Sequence, residues 1–392
     1  MKAGWKIEPL GELCEFQRGL TYAKGDEVDV SDNVVLRATN IDLTTNLLNF
    51  DELKYISDKV VVSDNKKVKK GSLMICTASG SKSHLGKVAY IDDDYDYAFG
   101  GFMGMITPRN GLNSKYLFHL MTSPDYKDFI GALSDGANIN NLKFDDLKKF
   151  PIPYPKPDEQ QRIVGLLDEA FAGIANAVAN AEKNLQNARA LFDSYHHSIF
   201  AKLREGWVEK SLGEVCEYIN GKAHEQCIDK DGRYIVINSK FISTNGEILK
   251  KSNEALLLLQ PGDIAMVLSD VPNGKALAKC FLVEDANIYT LNQRICLIRS
   301  SKFHAKFLFY QLNRNRHFLS FDNGENQTNL RLNQVLSCPL FLPPLTEQEI
   351  IADNLDAMSE ETQRLASLYE RKLAALVALK QSLLHQAFTG NL

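Results

Sequence analysis

Two proline-rich stretches decide how this chain is built: FPIPYPKPDEQQRI at residues 150–163 and CPLFLPPLTEQEII at residues 338–351. Two prolines, a Glu-Gln pair and an isoleucine recur in them at identical spacing, with an offset of 188 positions. If this match reflects a duplication, other segments must recur in the same order along the chain.

Three further pairs of segments do recur in order. They are WKIEPLGELCEFQRG (5–19) with WVEKSLGEVCEYING (207–221), KYLFHL (115–120) with KFLFYQL (306–312), and GANINNLKFDDL (136–147) with GENQTNLRLNQV (324–335). One such match could arise by chance, but four in one consistent frame indicate that the chain is an internal duplication.

Each copy begins with short runs typical of β-strands, such as SLMICTAS and KVAYI in the first copy, separated by Gly, Asn and Asp. One helix, broken at Pro124, is predicted in KYLFHLMTSPDYKDFI. These alternations predict an α+β globular domain in each copy.

After each proline-rich junction the sequence predicts one long helix. In the first copy, apolar residues alternate at steps of three and four, which is the seam of a coiled coil: Leu167, Phe171, Ile174, Val178, Ala181, Leu185, Ala188, Phe192, Tyr195 and Ile199. A less regular stripe follows in the second copy: Leu355, Met358, Leu365, Tyr369, Leu373, Leu376, Leu379, Leu383 and Ala387.

A long helix with one apolar stripe needs a partner, and the plainest partner is the helix of the other copy. We therefore predict two tandem α+β domains separated by two long helices that form an antiparallel coiled coil with an internal pseudo-two-fold repeat. The predicted boundaries are a first globular domain at 1–157, a central helix at 158–205, a second globular domain at 206–343 and a C-terminal helix at 344–392.

Composition bounds the class of protein. The chain has 392 residues, 44% of them hydrophobic and 24% charged, as in a soluble globular protein. Neither an apolar run near 18 residues nor a signal-peptide core is present, so we predict no membrane span and no export. Seven scattered cysteines without a C-x-x-C pair favour reduced thiols in the cytoplasm and predict no metal site.

The segments that come nearest to catalytic motifs are incomplete. FGGFMG (99–104) is a loose glycine cluster, and LPPL (342–345) lacks the residues of a methyltransferase motif. SGSKSHLGKV (79–88) has the wrong spacing for a phosphate-binding loop. His196-His197 is more simply a pair on a helix than a metal site. We therefore predict that the chain is not itself an enzyme.

The duplicated order of these motifs resembles the specificity subunit of type I restriction–modification systems, over essentially the whole chain. The resemblance rests on the two junctions, on the LGE starts (Leu10, Gly11, Glu12, Phe16, Gly19; Leu212, Gly213, Glu214, Tyr218, Gly221) and on the G-x-N…N-L segments (Gly136, Asn138, Asn141, Leu142; Gly324, Asn326, Asn329, Leu330).

The resemblance implies that each globular domain is a target-recognition domain reading one half of a bipartite site in double-stranded DNA. It implies helices that set the spacer, two methylation subunits docked on them, and restriction subunits. The chain itself would carry no cofactor; S-adenosylmethionine, ATP and Mg would belong to the partner subunits. A two-headed protein-binding scaffold without DNA specificity fits the duplicated architecture as well.

Base readout requires polar side chains on exposed loops. Two pairs of loops are matched between the copies: 36–42 with 236–242, and 78–87 with 269–279, with Gly86-Lys87 matched to Gly274-Lys275. The candidate DNA-binding residues are Arg37, Thr39, Asn40, Ser79, Ser81, Lys82, Ser83 and Lys87, with Asn238, Ser239, Lys240, Ser269, Asn273 and Lys275 in the second copy.

The charge distribution predicts that the chain alone binds DNA weakly. Residues 158–205 hold seven acidic and five basic side chains, and residues 346–392 hold seven and four. The net charge is −4, so the rest of the chain carries only +1. Because phosphate neutralisation supplies much of the affinity for DNA, we expect salt-sensitive binding that is completed by partner subunits.

Overall fold

The structure is a computed structural model that describes residues 4–80, 84–134, 141–201, 203–272 and 274–392. The chain divides into two compact units. The first consists of the chain up to Glu182 together with Glu370–Leu392, and the second of Lys183–Tyr369. Each unit therefore contains one globular region and a part of each long helix.

The first unit follows the predicted α+β pattern. Its elements are β1 (Lys6–Pro9), α1 (Leu10–Leu13), β2 (Cys14–Arg18), β3 (Glu27–Val28), β4 (Asn33–Leu36), β5 (Lys54–Ile56), β6 (Leu73–Cys76), β7 (Val88–Tyr90), β8 (Tyr97–Phe99), β9 (Met103–Pro108), α2 (Ser114–Leu120), α3 (Pro124–Ser134), α4 (Phe144–Leu147), β10 (Pro151–Tyr154) and α5 (Pro157–Phe200). The helix break predicted at Pro124 is confirmed.

This unit contains two four-stranded sheets, in the orders β2-β9-β6-β7 and β3-β5-β4-β8, besides the pair β1-β10. Side chains alternate across a strand, and all four residues of β6 are buried, so both of its faces are covered. Leu73 and Ile75 join the cluster that packs on the helices, whereas Met74 and Cys76 join the cluster that contains Leu36 of the second sheet. The first sheet is therefore the middle layer of the unit.

The second unit repeats this plan. Its elements are β11 (Val208–Ser211), α6 (Leu212–Val215), β12 (Glu217–Asn220), β13 (Tyr234–Ile237), α7 (Ser239–Ser243), β14 (Lys250–Ser252), β15 (Ile264–Val267), β16 (Ser269–Asp270), β17 (Cys280–Leu282), β18 (Tyr289–Leu291), β19 (Ile295–Arg299), α8 (Ala305–Leu312), α9 (Arg316–Leu319), β20 (Thr328–Asn329), α10 (Leu332–Leu336), β21 (Pro339–Leu342) and α11 (Leu345–Thr389).

Strand β15 holds the place that β6 holds in the first unit. It lies in a four-stranded sheet of order β12-β19-β15-β17. Ile264 and Met266 face the cluster on the helices, and Ala265 and Val267 face the cluster on the sheet β14-β13-β18. The same alternation therefore builds the same layers from different side chains.

The proline-rich junctions are strands that close each globular region. Strand β10 pairs antiparallel with β1, and β21 pairs antiparallel with β11. The prolines are tolerated because each strand belongs to a sheet of only two strands, where one edge needs no ladder hydrogen bond. The segments that recur most clearly in the sequence thus form the first and last strands of each globular region, and these two strands pair with each other.

The glutamine of each Glu-Gln pair explains why the junction recurs. Gln160 is fully buried; its Oε1 accepts from the Asn113 amide at 2.8 Å, and its Nε2 donates to Gly111 O at 3.0 Å and Pro155 O at 2.9 Å. Gln348 is equally buried and makes three equivalent bonds, to His304 N, Lys302 O and Pro343 O. One side chain thus fixes the start of each long helix to its globular region.

The long helices carry the predicted seam. All ten positions predicted in α5 are buried or half-buried. In the first unit, the segment of α5 around Leu167 packs with the segment of α11 around Ala387; in the second unit, Ile199 near the end of α5 packs with Leu355 near the start of α11. In the first unit the contact moves toward the start of α11 as α5 advances, because Phe171 lies against Lys380, so the two helices run antiparallel there, as predicted.

One position of the predicted stripe in α11 is wrong. Leu379 is 46% exposed, and the neighbouring Lys380 is half-buried instead, with its Nζ 5.1 Å from the centre of the Phe171 ring. Because the steps of this stripe are irregular, the sequence does not show that the buried position is 380 rather than 379. The aliphatic stem of a lysine can cover apolar surface as a leucine would.

By length and composition, α5 also satisfies a criterion for a membrane span, since an 18-residue window reaches a mean hydropathy of 1.2. A helix that packs one face in the core of a soluble protein meets the same criterion, so this observation is weak.

Candidate nucleic-acid interface

In the first unit, two of the predicted loops come together at one concavity. The loop after β4 contributes Arg37 and Thr39, and the loop after β6 contributes Ser79. The turn from Gly100 to Phe102, between β8 and β9, completes a concavity of about 540 Å³. Sequence reasoning matched these loops between the copies, but it did not identify the turn that joins them.

The turn is held by hydrogen bonds from both loops. The Gly100 amide donates to Leu36 O at 2.9 Å, at the end of β4, and Phe102 O accepts from the Thr77 amide at 2.9 Å, just after β6. The Leu20 amide donates to Phe99 O at 2.7 Å on the other side. The ends of three strands are therefore bound to a single turn.

The second unit builds the same arrangement with different residues. The Asn292 amide donates to Ile237 O at 3.1 Å, Arg294 O accepts from the Leu268 amide at 2.9 Å, and the Lys222 amide donates to Leu291 O at 3.0 Å. Residues 292–294 thus correspond to residues 100–102. We call the turns 100–102 and 292–294 the hub turns.

A repeated glycine allows the chain to approach each hub turn. A Cβ atom at Gly19 would lie 1.9 Å from Gly100 O, and a Cβ atom at Gly221 would lie 1.9 Å from Asn292 O. No other residue fits at this distance. This glycine closes the repeated segments 5–19 and 207–221, so its recurrence is the sequence signal that could have pointed to the hub turns.

The segment with the repeated Asn-Leu pair adjoins the hub as well. The Leu142 amide donates to Thr77 O at 2.6 Å, and the Leu330 amide donates to Leu268 O at 2.8 Å. In the second unit this segment reaches the candidate loop through its side chains, because Gln327 Nε2 donates to the Ser269 Oγ at 2.8 Å. Ser269 itself is buried.

Among the candidates of the first unit, Thr39 is exposed, and Arg37 and Ser79 are half-buried. Arg37 Nε is shielded from solvent and has no hydrogen-bond partner among the described residues. Tyr22 lies at the same concavity; burial raises the pKa of its hydroxyl, the negative charge of Glu27 raises it further, and the charge of Arg37 opposes both. The concavity thus combines a cation, hydroxyl groups and an aromatic surface.

Asn40 and Asn238 use their side chains within the fold. Asn40 is 1% exposed; its Oδ1 accepts from the Arg37 amide at 2.8 Å and its Nδ2 donates to Asn49 O and Glu52 O. Asn238 caps α7, with its Oδ1 accepting from the Phe241 amide at 2.9 Å. Both amides shape their loops.

The match of Gly86-Lys87 to Gly274-Lys275 is wrong. Gly86 N donates to Cys76 O, and the equivalent bond in the second unit runs from Ala278 N to Val267 O. Gly86 and Ala278 are both left-handed, with φ of 75° and 56°. The partner of Gly86-Lys87 is therefore Ala278-Lys279, which sequence similarity missed because an alanine seldom adopts this conformation.

The two lysines of this corrected match are structural. Lys87 Nζ donates to Ile41 O at 3.3 Å, and Lys279 Nζ donates to Ser243 O at 3.1 Å and Asn245 Oδ1 at 2.9 Å. Burial lowers the pKa of each ammonium group. Each lysine ties the loop before β7 or β17 to the segment that follows β4 or β13.

The remaining candidates of the second unit differ in exposure. Lys240 and Lys275 are exposed, and Ser239 is half-buried at the start of α7. The loop that holds Lys275 is organised by Asp270, whose carboxylate accepts from the amides of Val271, Ala276 and Leu277. Four further candidates lie outside the described residues: Ser81, Lys82, Ser83 and Asn273.

A known protein family matches the chain in two parts, one for each copy. The family model for the type I restriction modification DNA specificity domain matches residues 2–184 and again residues 204–370. The chain belongs to this family. The duplication seen in the sequence is therefore a duplication of the family's domain, and the resemblance stated for the sequence is confirmed.

Named relatives span nearly the whole chain. The StySPI specificity subunit of Salmonella potsdam is 28% identical, covering 99% of this chain and 89% of that protein. The EcoKI specificity subunit of Escherichia coli strain K12 is 25% identical with the same coverage. Like these relatives, the chain is a non-catalytic specificity subunit, and the scaffold alternative is not favoured.

Solved structures share the fold. A chain from a study of complex assembly in the type I restriction–modification system has a TM-score of 0.80 at 19% identity, covering 100% of this chain and 99% of that one. The HsdS subunit of Thermoanaerobacter tengcongensis has a TM-score of 0.66 at 20% identity, covering 100% and 98%. Two tandem α+β domains with long helices are thus the architecture of this family.

Proposed function

We propose that the two globular domains, residues 1–157 and 206–343, each read one half of a bipartite site in double-stranded DNA. The observation that carries this proposal is the repeated hub. Both units bind two polar loops to one turn by equivalent backbone hydrogen bonds, while the side chains on those loops differ. A fixed frame with variable polar side chains is what reading two different base sequences requires.

Within this frame, the proposed DNA contacts come from exposed or half-buried side chains. They are Arg37, Thr39 and Ser79 in the first domain and Ser239, Lys240 and Lys275 in the second. Asn40, Lys87, Asn238 and Ser269 support the loops through the hydrogen bonds described above. Ser81, Lys82, Ser83 and Asn273 stay predictions from the sequence.

The helical segments, 158–205 and 344–392, would set the spacing between the two half-sites and dock two methylation subunits, with restriction subunits completing the complex. S-adenosylmethionine, ATP and Mg would be bound by these partners, in the cytoplasm. The excess of acidic residues in both helical segments suits contact with protein rather than with DNA phosphates.

The test is a map of adenine methylation across the genome of a host that expresses the chain with its co-encoded partners, with and without the chain. We expect a split motif that disappears when the chain is deleted. Replacing residues 1–157 with the corresponding domain of another specificity subunit should change one half of the motif only. If competent partners produce no chain-dependent motif, the proposal fails.

A further inference from the structure

The hub turns place two unlike side chains at one equivalent position. Phe102 O and Arg294 O accept the equivalent hydrogen bonds, from Thr77 N and Leu268 N, so these two residues correspond. The backbone hydrogen bonds and the close approach of a glycine are the repeated part. What differs between the two units is the side chain that the turn presents and the backbone conformation that carries it, since Arg294 and not Phe102 has a positive φ.

Both side chains point away from the protein interior. Phe102 is 73% exposed, and it lines the concavity that also holds Arg37, Thr39 and Ser79. Arg294 is exposed, and among the described residues its guanidinium has no hydrogen-bond or ion-pair partner. The protein fold does not use either group, although each stands at the centre of its unit's polar loops.

The backbone of Arg294 adds a second observation. Its φ of 69° lies in the left-handed region, where a residue with a side chain is strained and glycine or asparagine is favoured. Strain of this kind at a surface turn points to a use for the side chain. An exposed arginine there gives the fold nothing that asparagine would not give at lower cost.

We propose that Phe102 and Arg294 are equivalent specificity-determining residues, with Arg294 reading a guanine in one half-site and Phe102 contacting the methyl group of a thymine in the other. This inference rests on the proposed function. The arginine fork matches O6 and N7 of guanine, and the thymine methyl is the apolar group that a base pair presents in the major groove. The hydrogen bonds that hold the two turns are equivalent, so both side chains stand at corresponding places of their units, although only Arg294 is left-handed.

The variant Arg294→Asn tests the first half of the proposal, because asparagine tolerates the left-handed backbone and removes the guanidinium. In the methylation map, the motif should broaden at one guanine of one half-site, with discrimination at that position falling by roughly 5- to 150-fold. The other half-site should not change. Lys230→Asn, which removes an exposed charge of the same unit, is the matched control.

The variant Phe102→Ala tests the second half. The motif should broaden at one thymine of the half-site that Arg294 does not affect. Val30→Ala is the matched control, because Val30 is an 83% exposed apolar residue of the same unit. Thermal unfolding followed by circular dichroism should give no lower midpoint for any of the four variants, since each replaced side chain is exposed.

Modified duplexes identify the atoms. With the purified complex, 7-deazaguanine at the assigned position should slow methylation by the wild type and slow the Arg294→Asn variant little further, because N7 is the contact removed in both. Deoxyuridine at the assigned thymine lacks one methyl group and should slow the wild type by about fourfold, which follows from the burial of one such group. It should not slow Phe102→Ala.

Other results would overturn the inference. If the variants lower methylation uniformly and leave both half-sites unchanged, the side chains do not read bases. A weaker dependence of DNA binding on salt concentration would then indicate contacts with phosphates, and an unchanged dependence would indicate an effect on folding alone. Broadening at a base other than guanine or thymine, or in both half-sites together, would contradict the assignment. A wild type that gives no split motif would instead defeat the proposed function, so the two failures are distinguishable.

Discussion

The buried glutamine of each junction gives a prediction that can be worked from the structure. In Gln160→Leu the side chain keeps its approximate volume but loses its hydrogen bonds to Asn113 N, Gly111 O and Pro155 O. Three backbone groups then lose their partner at a buried site. An unsatisfied buried group costs about 1–3 kcal/mol, and some of these groups will regain water at the edge of the site. We therefore expect the free energy of unfolding of the first unit to fall by about 2–5 kcal/mol.

The chain's two tryptophans provide an assay for each unit. Trp5 packs against the core of the first unit, and Trp207 is 5% exposed in the core of the second. In a Trp207→Phe background, fluorescence in a urea titration reports on the first unit. In a Trp5→Phe background, it reports on the second. Gln160→Leu should lower the urea midpoint in the first background, and Gln348→Leu should lower it in the second.

The neighbouring Gln161 offers a control for the first unit. It is exposed, and its Oε1 accepts one hydrogen bond from Asn113 Nδ2 at 3.0 Å. Gln161→Leu should change the unfolding free energy by no more than about 0.5 kcal/mol, as is usual at the surface. If Gln160→Leu is as mild as this control, then the buried hydrogen bonds do not hold the helix to the globular region and the reasoning is refuted.

Two further predictions concern the hub glycines and acid stability. Gly19→Ala and Gly221→Ala should each blur the methylation motif in a single half-site, since the added Cβ would displace a hub turn, whereas Gly25→Ala, with open space around it, should leave the motif unchanged. Lowering the pH from 7.5 to 5.5 should lower the urea midpoint reported by Trp5. Burial lowers the pKa of His119 despite its bond to Asp168, so the unfolded chain binds a proton more readily and stability is lost as the pH falls through the ordinary histidine range. His119→Gln should flatten this dependence, and an equal dependence in the variant would refute the assignment.

Features set by local spacing were predictable from the sequence. The seam of α5 was correct at all ten positions because its steps of three and four follow the helical period directly. The stripe in α11 failed at Leu379, where the steps are irregular and a half-buried lysine takes an apolar place. A search for periodic apolar residues counts lysine as polar, and it therefore misses a lysine whose aliphatic stem packs against an aromatic ring.

Features set by contacts between distant segments were not predictable in this way. The FGGFMG segment looks like a loose glycine cluster in the sequence, yet it contains the hub turn of the first unit. Its meaning depends on Gly19, some eighty positions earlier, which approaches Gly100 O too closely for any other residue. The second unit uses Asn292 and Arg294 in place of glycine and phenylalanine, so comparison of the two copies offered no similarity to detect.

The mismatch of Gly86-Lys87 with Gly274-Lys275 shows which property the duplication has kept. The true counterpart, Ala278-Lys279, keeps the left-handed backbone and the lysine that reaches a neighbouring loop, although alanine replaces glycine and the loop before it differs in length. The hub turns behave in the same way, with equivalent backbone bonds beneath unlike side chains. The two copies share hydrogen bonds and close approaches rather than residue identity. Positions where the frame is equivalent and the exposed side chains differ, such as Phe102 and Arg294, are therefore where the two halves of the site should acquire their different sequences.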